Sequence, residues 1–492
     1  MIPQPQPNRL DWKFWLGAAF VLAYFVYWTA EGLRCYFAPD DLLGEYYVWS
    51  RPLWKLIAAN LFPFTNYYRP LGSAWYYMLF SIAGFHPLPF HLFAYALLIL
   101  NLWLVFCFTT RLSGSREIGG LATLLGSVHA EFADLYFSTG PIYDIIACCL
   151  YLTASLYYLR IRQSGRTLSW KNIGWLVVLT LLAMNAKEMA ATLPLMLGVY
   201  ELIFHPPRMP LRSSAVARQL RPILVLAAAV LLSAFAKTRP GYDNPMTGQL
   251  AYHWTITWRQ YLSTTSAYLN NLFYTVDKFT PFPAALFLLL LLALAWAFHS
   301  RPMLYAYCFF LFTSLPISFI PARAGFAQLI PMIGMSLYVA ALLIELRDGL
   351  LRVLPSAGSA RRTVLARSPF VLFAGFVLAY APMLRQHFDD FTPQITNKEE
   401  IMRASFGQIR SLCPTLPKGT RILFLDDRFD TDEYTLLIFL RLYYKDIEII
   451  ADRAKVTPEL AQQQSSYDKV FSLKDGSVVD VTPRRPAVRG KS

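Results

Sequence analysis

The chain has 492 residues, 55% of them hydrophobic and 16% aromatic, and only 15% are charged. A soluble domain carries about a quarter charged residues, so this composition excludes an ordinary soluble enzyme and leaves a protein built for a bilayer. The net charge of +14 sits in short connections between apolar stretches, which ties it to membrane orientation and anionic lipid, with no role for nucleic acid.

Crossing the hydrocarbon core takes about 20 apolar residues. In chain order such stretches fall at 14–30, 89–109, 118–137, 141–160, 172–186, 189–204, 222–238, 281–299, 303–320, 326–346 and 368–385. The first has no small-residue cleavage site and runs directly into Glu31-Gly32, so it is expected to be an uncleaved span. As a single helix, 172–204 would be about 50 Å long, and Lys187-Glu188 near its middle splits it. Basic residues concentrate at the N-terminus (Arg9, Lys13) and in 110–117, 161–171, 205–221, 300–302 and 347–367. The long segment 31–88 holds only Arg34, Arg51, Lys55 and Arg69. The positive-inside rule then places the N-terminus in the cytoplasm and residues 386–492 outside. The expected fold is a polytopic α-helical membrane protein of about 11 transmembrane helices, with a membrane domain over 1–385 and a small extracytoplasmic α/β domain over 386–492.

Three outer elements interrupt this bundle. Within 31–88, the segments 47–62 and 71–85 are expected as interfacial helices with Trp and Tyr at headgroup level. The second element is 239–280, with a helix expected over 252–274. In the tail, Arg421–Leu425 and Ile447–Ile450 read as strands, 431–444 as a helix opened by Thr431 and Asp432, and Val470–Leu473 followed by Asp475-Gly476 as a hairpin. Of six cysteines, Cys107, Cys148, Cys149 and Cys308 fall in spans; Cys35 and Cys413 both face outside, where a bridge between them is conceivable, and no spacing reads as a zinc site.

The residues able to carry chemistry gather on the outer side of this topology. Asp40 and Asp41, just past the first span, are candidates for a general base or a metal ligand. Tyr68 and Arg69 stand between the two interfacial segments, and an arginine there can grip phosphate in a bidentate fashion or simply reach for lipid headgroups. Ionisable residues at span ends are functional candidates by default: His129, Glu131, Asp134, Asp144, Lys187 and Glu188. Pairing of Lys187 with Glu188 or Asp144 is the structural alternative. Arg323, in the turn 320–326, and Gln328 complete the set.

The ordered series Asp40-Asp41, then Tyr68-Arg69-Pro70-Leu71, then Phe90-His91-Leu92 resembles the integral-membrane GT-C glycosyltransferases, above all the TPR-bearing membrane O-mannosyltransferases and their bacterial relatives. His129-Ala130-Glu131, Ala186-Lys187-Glu188 and Arg323 fit the same pattern over about residues 10–346. The chain departs from it where the family's His-Pro-His reads His129-Ala130-Glu131, and no TPR array follows. The resemblance implies a polyprenyl-phosphate sugar donor, an inverting hexosyl or pentosyl transfer, and a glycan, lipid or protein acceptor. Asp40 or Asp41 would take the acceptor proton. Arg69, Lys187 and Arg323 would hold the leaving phosphate, with Tyr68, His91, His129, Glu131, Asp144, Glu188 and Gln328 lining the site. No metal ligand set is assigned, although some GT-C enzymes use a divalent metal ion. The implied location is a bacterial inner membrane. The main rival is a transporter or flippase of a lipid-linked or anionic substrate. A second is a scaffold whose working part is the tail, at Asp426-Asp427.

Overall fold

The computed structural model describes residues 12–206, 213–240, 242, 250–353, 369–430, 434–474 and 476–483. Helix α1 (Trp12–Thr29) runs into a 3-10 turn over Ala30–Arg34, and three short helices follow: α2 (Pro39–Trp49), α3 (Leu53–Leu61) and α4 (Pro70–Ala83). The helix expected over 47–62 is thus two, because Pro52 lacks the N–H a continuous helix needs and instead caps α3. Helix α5 (Pro87–Ser113) closes on Gly114, whose φ of 71° needs no side chain. Ser115 then opens α6 (Arg116–Ser127) by accepting the Ile118 N–H.

The span expected over 118–137 is interrupted. After α6 the chain is extended at Val128 and His129, then turns through Ala130–Phe132 into α7 (Ala133–Phe137). The freed backbone donors are taken by tyrosine hydroxyls: Tyr136 accepts from His129 and Tyr274 accepts from Ala130. Helices α8 (Ile142–Gln163) and α9 (Trp170–Ala186) follow, and Lys187 is extended (φ −152°, ψ 142°), so the chain breaks there as its charge dictates. A 3-10 turn at Glu188–Thr192 leads into α10 (Leu193–Phe204), α11 (Ser213–Thr238), α12 (Trp258–Leu272), α13 (Pro281–Ala297), α14 (Arg301–Thr313), α15 (Leu315–Ser318) and α16 (Leu329–Val353). Arg9, Arg208, Arg212, Arg361, Arg362 and Arg367, which contribute to the orientation argument, lie outside the described residues.

Among the described residues, five helical segments are each long and apolar enough to cross a membrane: Trp12–Arg34, Pro87–Ser113, Ile142–Gln163, Gln219–Thr238 and Gly325–Arg352. The chain is an integral membrane protein. In Ile142–Gln163 and Gly325–Arg352, 67% of the apolar window is buried, so these two form the centre of the bundle; the 28% of Trp12–Arg34 and Gln219–Thr238 marks them as peripheral. At one end of the bundle basic side chains meet carboxylates: Arg162 is bidentate on Glu201, and Arg347 bonds Glu117 and Asp348. At the other end lie α2–α4, the 128–141 segment, the Lys187 break and the turn before α16.

Helix α17 (Pro369–Leu412) is 44 residues long, about 66 Å at 1.5 Å per residue. The domain boundary expected at 385/386 falls inside it. Beyond α17 the chain forms β1 (Arg421–Phe424), α18 (Thr435–Tyr444), β2 (Ile450–Arg453), β3 (Lys469–Lys474) and β4 (Ser477–Asp480), with sheet order β2-β1-β3-β4. The first three strands are parallel and β4 is antiparallel, returning through the expected hairpin. Asp475 of that hairpin, and Thr431 and Asp432, lie outside the described residues. The second strand begins three residues later than its apolar run predicts. Asp446 accepts the N–H groups of Gly419 and Glu448, which holds 446–448 in a turn and leaves Ile449 to anchor the core. All six cysteines are free thiols, so Cys35 and Cys413 form no bridge.

Candidate functional site

The Asp40-Asp41 pair, expected in a loop, is the first turn of α2. Pro39 at N1 and carboxylates at the next two positions suit a helix start, where N–H groups lack intrahelical partners and the dipole favours negative charge. Asp41 folds back: its Oδ2 accepts the Ala38 N–H at 2.8 Å, and the Tyr76 hydroxyl lies 3.4 Å from Oδ1. It is fully buried, and that burial pushes its carboxyl up to about 7 against the opposing pull of the Ala38 bond. Asp40 faces solvent. The two acids therefore separate, with Asp41 building the turn and Asp40 presented outward.

Asp40 stands over the 134–143 segment. A Cβ on Gly140 would come within 3.3 Å of the Asp40 Cβ, so a larger residue there would push Asp40 aside by a few tenths of an ångström. Asp40 also acts electrostatically on Asp134 and Tyr143. The Tyr143 ring is the link to the cations, lying 5.6 Å from the Arg69 guanidinium, while the Tyr68 ring lies at 4.6 Å. Arg69 has φ 43°, a left-handed conformation that costs a non-glycine residue on the order of 1 kcal/mol. It is held there by a bidentate pair with Glu188, at 3.0 and 2.8 Å.

Lys187 pairs with Asp144 at 2.8 Å, their side chains only 13% and 6% exposed. Burial, with Arg69 adding to it, lowers the Lys187 amine, and Asp144 opposes the fall. The Lys187 Nζ also lies 5.6 Å from the Phe326 ring. Arg323 differs from these two. It donates to the Tyr252 hydroxyl at 2.8 Å and stacks on that ring at 4.3 Å, with no carboxylate partner among the described residues. The turn that carries Arg323 also carries Phe326, the ring beside Lys187, so the three cations belong to one neighbourhood.

The remaining expected lining residues divide. His129, Glu131 and Gln328 share a small pocket with Tyr268 and Gly325. A Cβ on Gly325 would sit 2.1 Å from the Glu131 carbonyl oxygen, so the two turns touch through backbone. His129 stacks on Tyr274 and contacts the Leu272 carbonyl through Nε2; burial first, with His387 adding, lowers its imidazole to about 4 despite that contact. Burial raises the carboxyls of Glu131 and Asp134, and each gains from a neighbouring acid. The Gln328 Nε2 is buried without a partner. His91 is not brought to this cleft: it is buried 3.4 Å from the Tyr36 carbonyl, under the chain leading into α2.

Sequence reasoning missed Tyr143 and Tyr252, the two rings that hold the cations. The aromatic richness of their segments was their only signal. Among the described residues no group of three or more His, Cys, Asp or Glu side chains is arranged to hold a metal ion. Both tail acids have partners within the tail. Asp427 is buried and paired with Arg453 at 2.6 Å, and Asp426 accepts from Ser472 at 3.0 Å.

The chain matches no protein-family model and no curated protein. Among solved structures it is similar to the crystal structure of ArnT from Cupriavidus metallidurans bound to undecaprenyl phosphate, with a TM-score of 0.46 and 14% identity, over 94% of this chain and 93% of that one.

Proposed function

We propose that the protein is a membrane glycosyltransferase that takes a sugar from a polyprenyl-phosphate donor and passes it to an acceptor on the extracytoplasmic face. The observation that carries this reading is the exposed Asp40, separated by Tyr143 from a cationic cluster of Arg69, Lys187 and Arg323. In the reaction, Asp40 accepts the proton of the acceptor hydroxyl as its oxygen attacks the anomeric carbon. The bond from that carbon to the phosphate oxygen breaks, and the configuration inverts. The electron pair leaves on the polyprenyl phosphate, whose charge the cations stabilise.

Arg69 and Lys187 each hold a protein carboxylate, so they offer a preorganised field more than free hydrogen bonds; Arg323 is the cation best placed to bond a phosphate oxygen directly. The transferred sugar is a hexose or a pentose, and the acceptor a hydroxyl of a protein, lipid or glycan. The reading also assigns the basic end of the bundle and the N-terminus to the cytoplasm of a bacterial inner membrane, with α2–α4 and the tail sheet outside.

The test is Asp40→Asn, which keeps size but cannot accept a proton. Removing a general base costs about 10²–10⁴ in rate. Glycan analysis of a deletion strain complemented with this variant should show the product gone, while the protein still inserts. Asp40→Asn with wild-type product would overturn the assignment, as would transport of the lipid-linked substrate with no new glycosidic bond.

A further inference from the structure

Helix α2 has a second face, turned away from the cleft, and the chain's C-terminal part covers it. Glu45 lies one turn after Asp41 on this face; it is fully buried, and neither carboxyl oxygen has a hydrogen-bond partner. Next to it is Tyr36, two residues before the α2 cap. The Tyr36 N–H donates to Glu399 Oε2 of α17 at 3.1 Å, the Arg403 guanidinium lies 5.5 Å from its ring, and the charge of Arg410 on the same helix reaches its hydroxyl. Glu45 and Arg403 also act on that hydroxyl. Arg410 has buried Nε and Nη2 atoms without partners, and its guanidinium stacks on Phe85, Phe439 and Tyr443 at 4.9, 5.4 and 4.8 Å. Two further bonds tie the same parts together. Arg403 donates to the Arg34 carbonyl at 2.7 Å, and Arg441 of α18 donates to the Tyr46 hydroxyl at 2.9 Å.

A buried arginine cannot shed its proton, and a half-satisfied polar cluster is costly. Such a cluster fixes one arrangement of the elements around it, because any slip exposes or strands the same groups. Here those elements are the segment that presents Asp40 and the helices that carry the tail sheet. We propose that the C-terminal part of the chain is a positioning clamp on α2, in which Arg410, Glu399 and Arg441 hold Tyr36 and Tyr46 and so fix Asp40 against its acceptor. These are positioning residues that touch no substrate. The catalytic consequence rests on the reading of Asp40 given above; the clamp itself does not.

Cys35 reports the clamp independently of any reaction. It is buried beside Glu399 and would be uncovered if α17 moved away. In full-length protein in detergent, Arg410→Met, which keeps the stem in its aromatic slot, should raise maleimide labelling of Cys35 about tenfold. Turnover should fall by about ten- to a hundredfold, the scale of a small misplacement of a reacting group, with KM for the donor little changed. Arg410→Lys should recover part of both. Tyr46→Phe removes one hydroxyl and should give a smaller change of the same kind; it keeps the test open if Arg410→Met fails to fold. Wild-type labelling of Cys35 and wild-type turnover in both variants would overturn the clamp, as would a loss that appears in donor KM alone. Increased labelling in a protein with no transferase activity would uphold the clamp and instead sink the role given to Asp40.

Discussion

The Lys187–Asp144 pair tests whether the expected phosphate cations are functional or merely packed. Its side chains are 13% and 6% exposed and meet at 2.8 Å, so each is the other's main compensation for lost water. Lys187→Met strands Asp144 in the interior, and breaking a buried pair from one side costs about 3–5 kcal/mol. Lys187→Met with Asp144→Asn removes both charges and should fall within about 1–2 kcal/mol of wild type, since replacing a buried pair whole is often close to neutral. Stability and transfer should then part. Thermal unfolding in detergent should drop for the single variant and largely return in the double. Transfer should not return, because the field Lys187 supplies to the charge leaving on the phosphate is gone, a loss on the scale of a charge-assisted interaction, roughly ten- to a hundredfold in rate. If the double variant transfers sugar like wild type once its unfolding temperature has recovered, Lys187 holds the fold and nothing else. A single variant that unfolds at the wild-type temperature would refute the burial argument itself.

Arg323, whose side chain has no carboxylate partner among the described residues and bonds the Tyr252 hydroxyl, should behave more simply. Arg323→Ala should leave unfolding nearly unchanged and weaken donor use about ten- to a hundredfold, and Arg323→Lys should recover part of it; wild-type donor kinetics in Arg323→Ala would return the residue to a headgroup contact. Glu399 predicts a pH dependence. Burial first, and Asp41 second, push its carboxyl up to about 8, with the Tyr36 N–H and Arg403 opposing. A raised acid stabilises the fold fully below its ordinary range near pH 4–5, and the contribution is lost as pH rises to about 8. Unfolding temperature should therefore fall from pH 5 to pH 8, and Glu399→Gln should flatten part of that slope, with the raised carboxyls of Asp41, Glu45, Glu131 and Asp134 supplying the remainder. Identical slopes in the two proteins would show that Glu399 does not titrate there.

Where a single residue forces the backbone, the fold was legible. Lys187 could not continue a helix through lipid, and the chain is extended there. Where the cause is tertiary, it was not. The run 118–137 has no proline, and its first acid comes only at Glu131, so it reads as one span. It breaks at Val128-His129 because Tyr136 and Tyr274, distant in part, receive the released N–H groups. The strand predicted at Ile447–Ile450 slid for a similar reason: its apolar pattern is real, but Asp446 spends that stretch on a turn.

The site shows the same division one level down, since residue types were legible and partners mostly were not. Adjacency makes Lys187 and Glu188 look like a pair. Yet Lys187 is extended, and successive side chains along an extended backbone point to opposite sides. Each therefore takes a different partner: Lys187 takes Asp144 and Glu188 takes Arg69. The choice between Asp40 and Asp41, in contrast, was written in the spacing. Asp41, Glu45 and Val48 stand at the zero, fourth and seventh positions of one helical stripe, and all three are buried. A helix beginning at Pro39 places Asp40 about 100° off that stripe, at 3.6 residues per turn. The stripe marks Asp41 as the buried acid, and Asp40 is the one left exposed. Treating the two as equivalent loop residues hid what the helix start signal at Pro39 already separated.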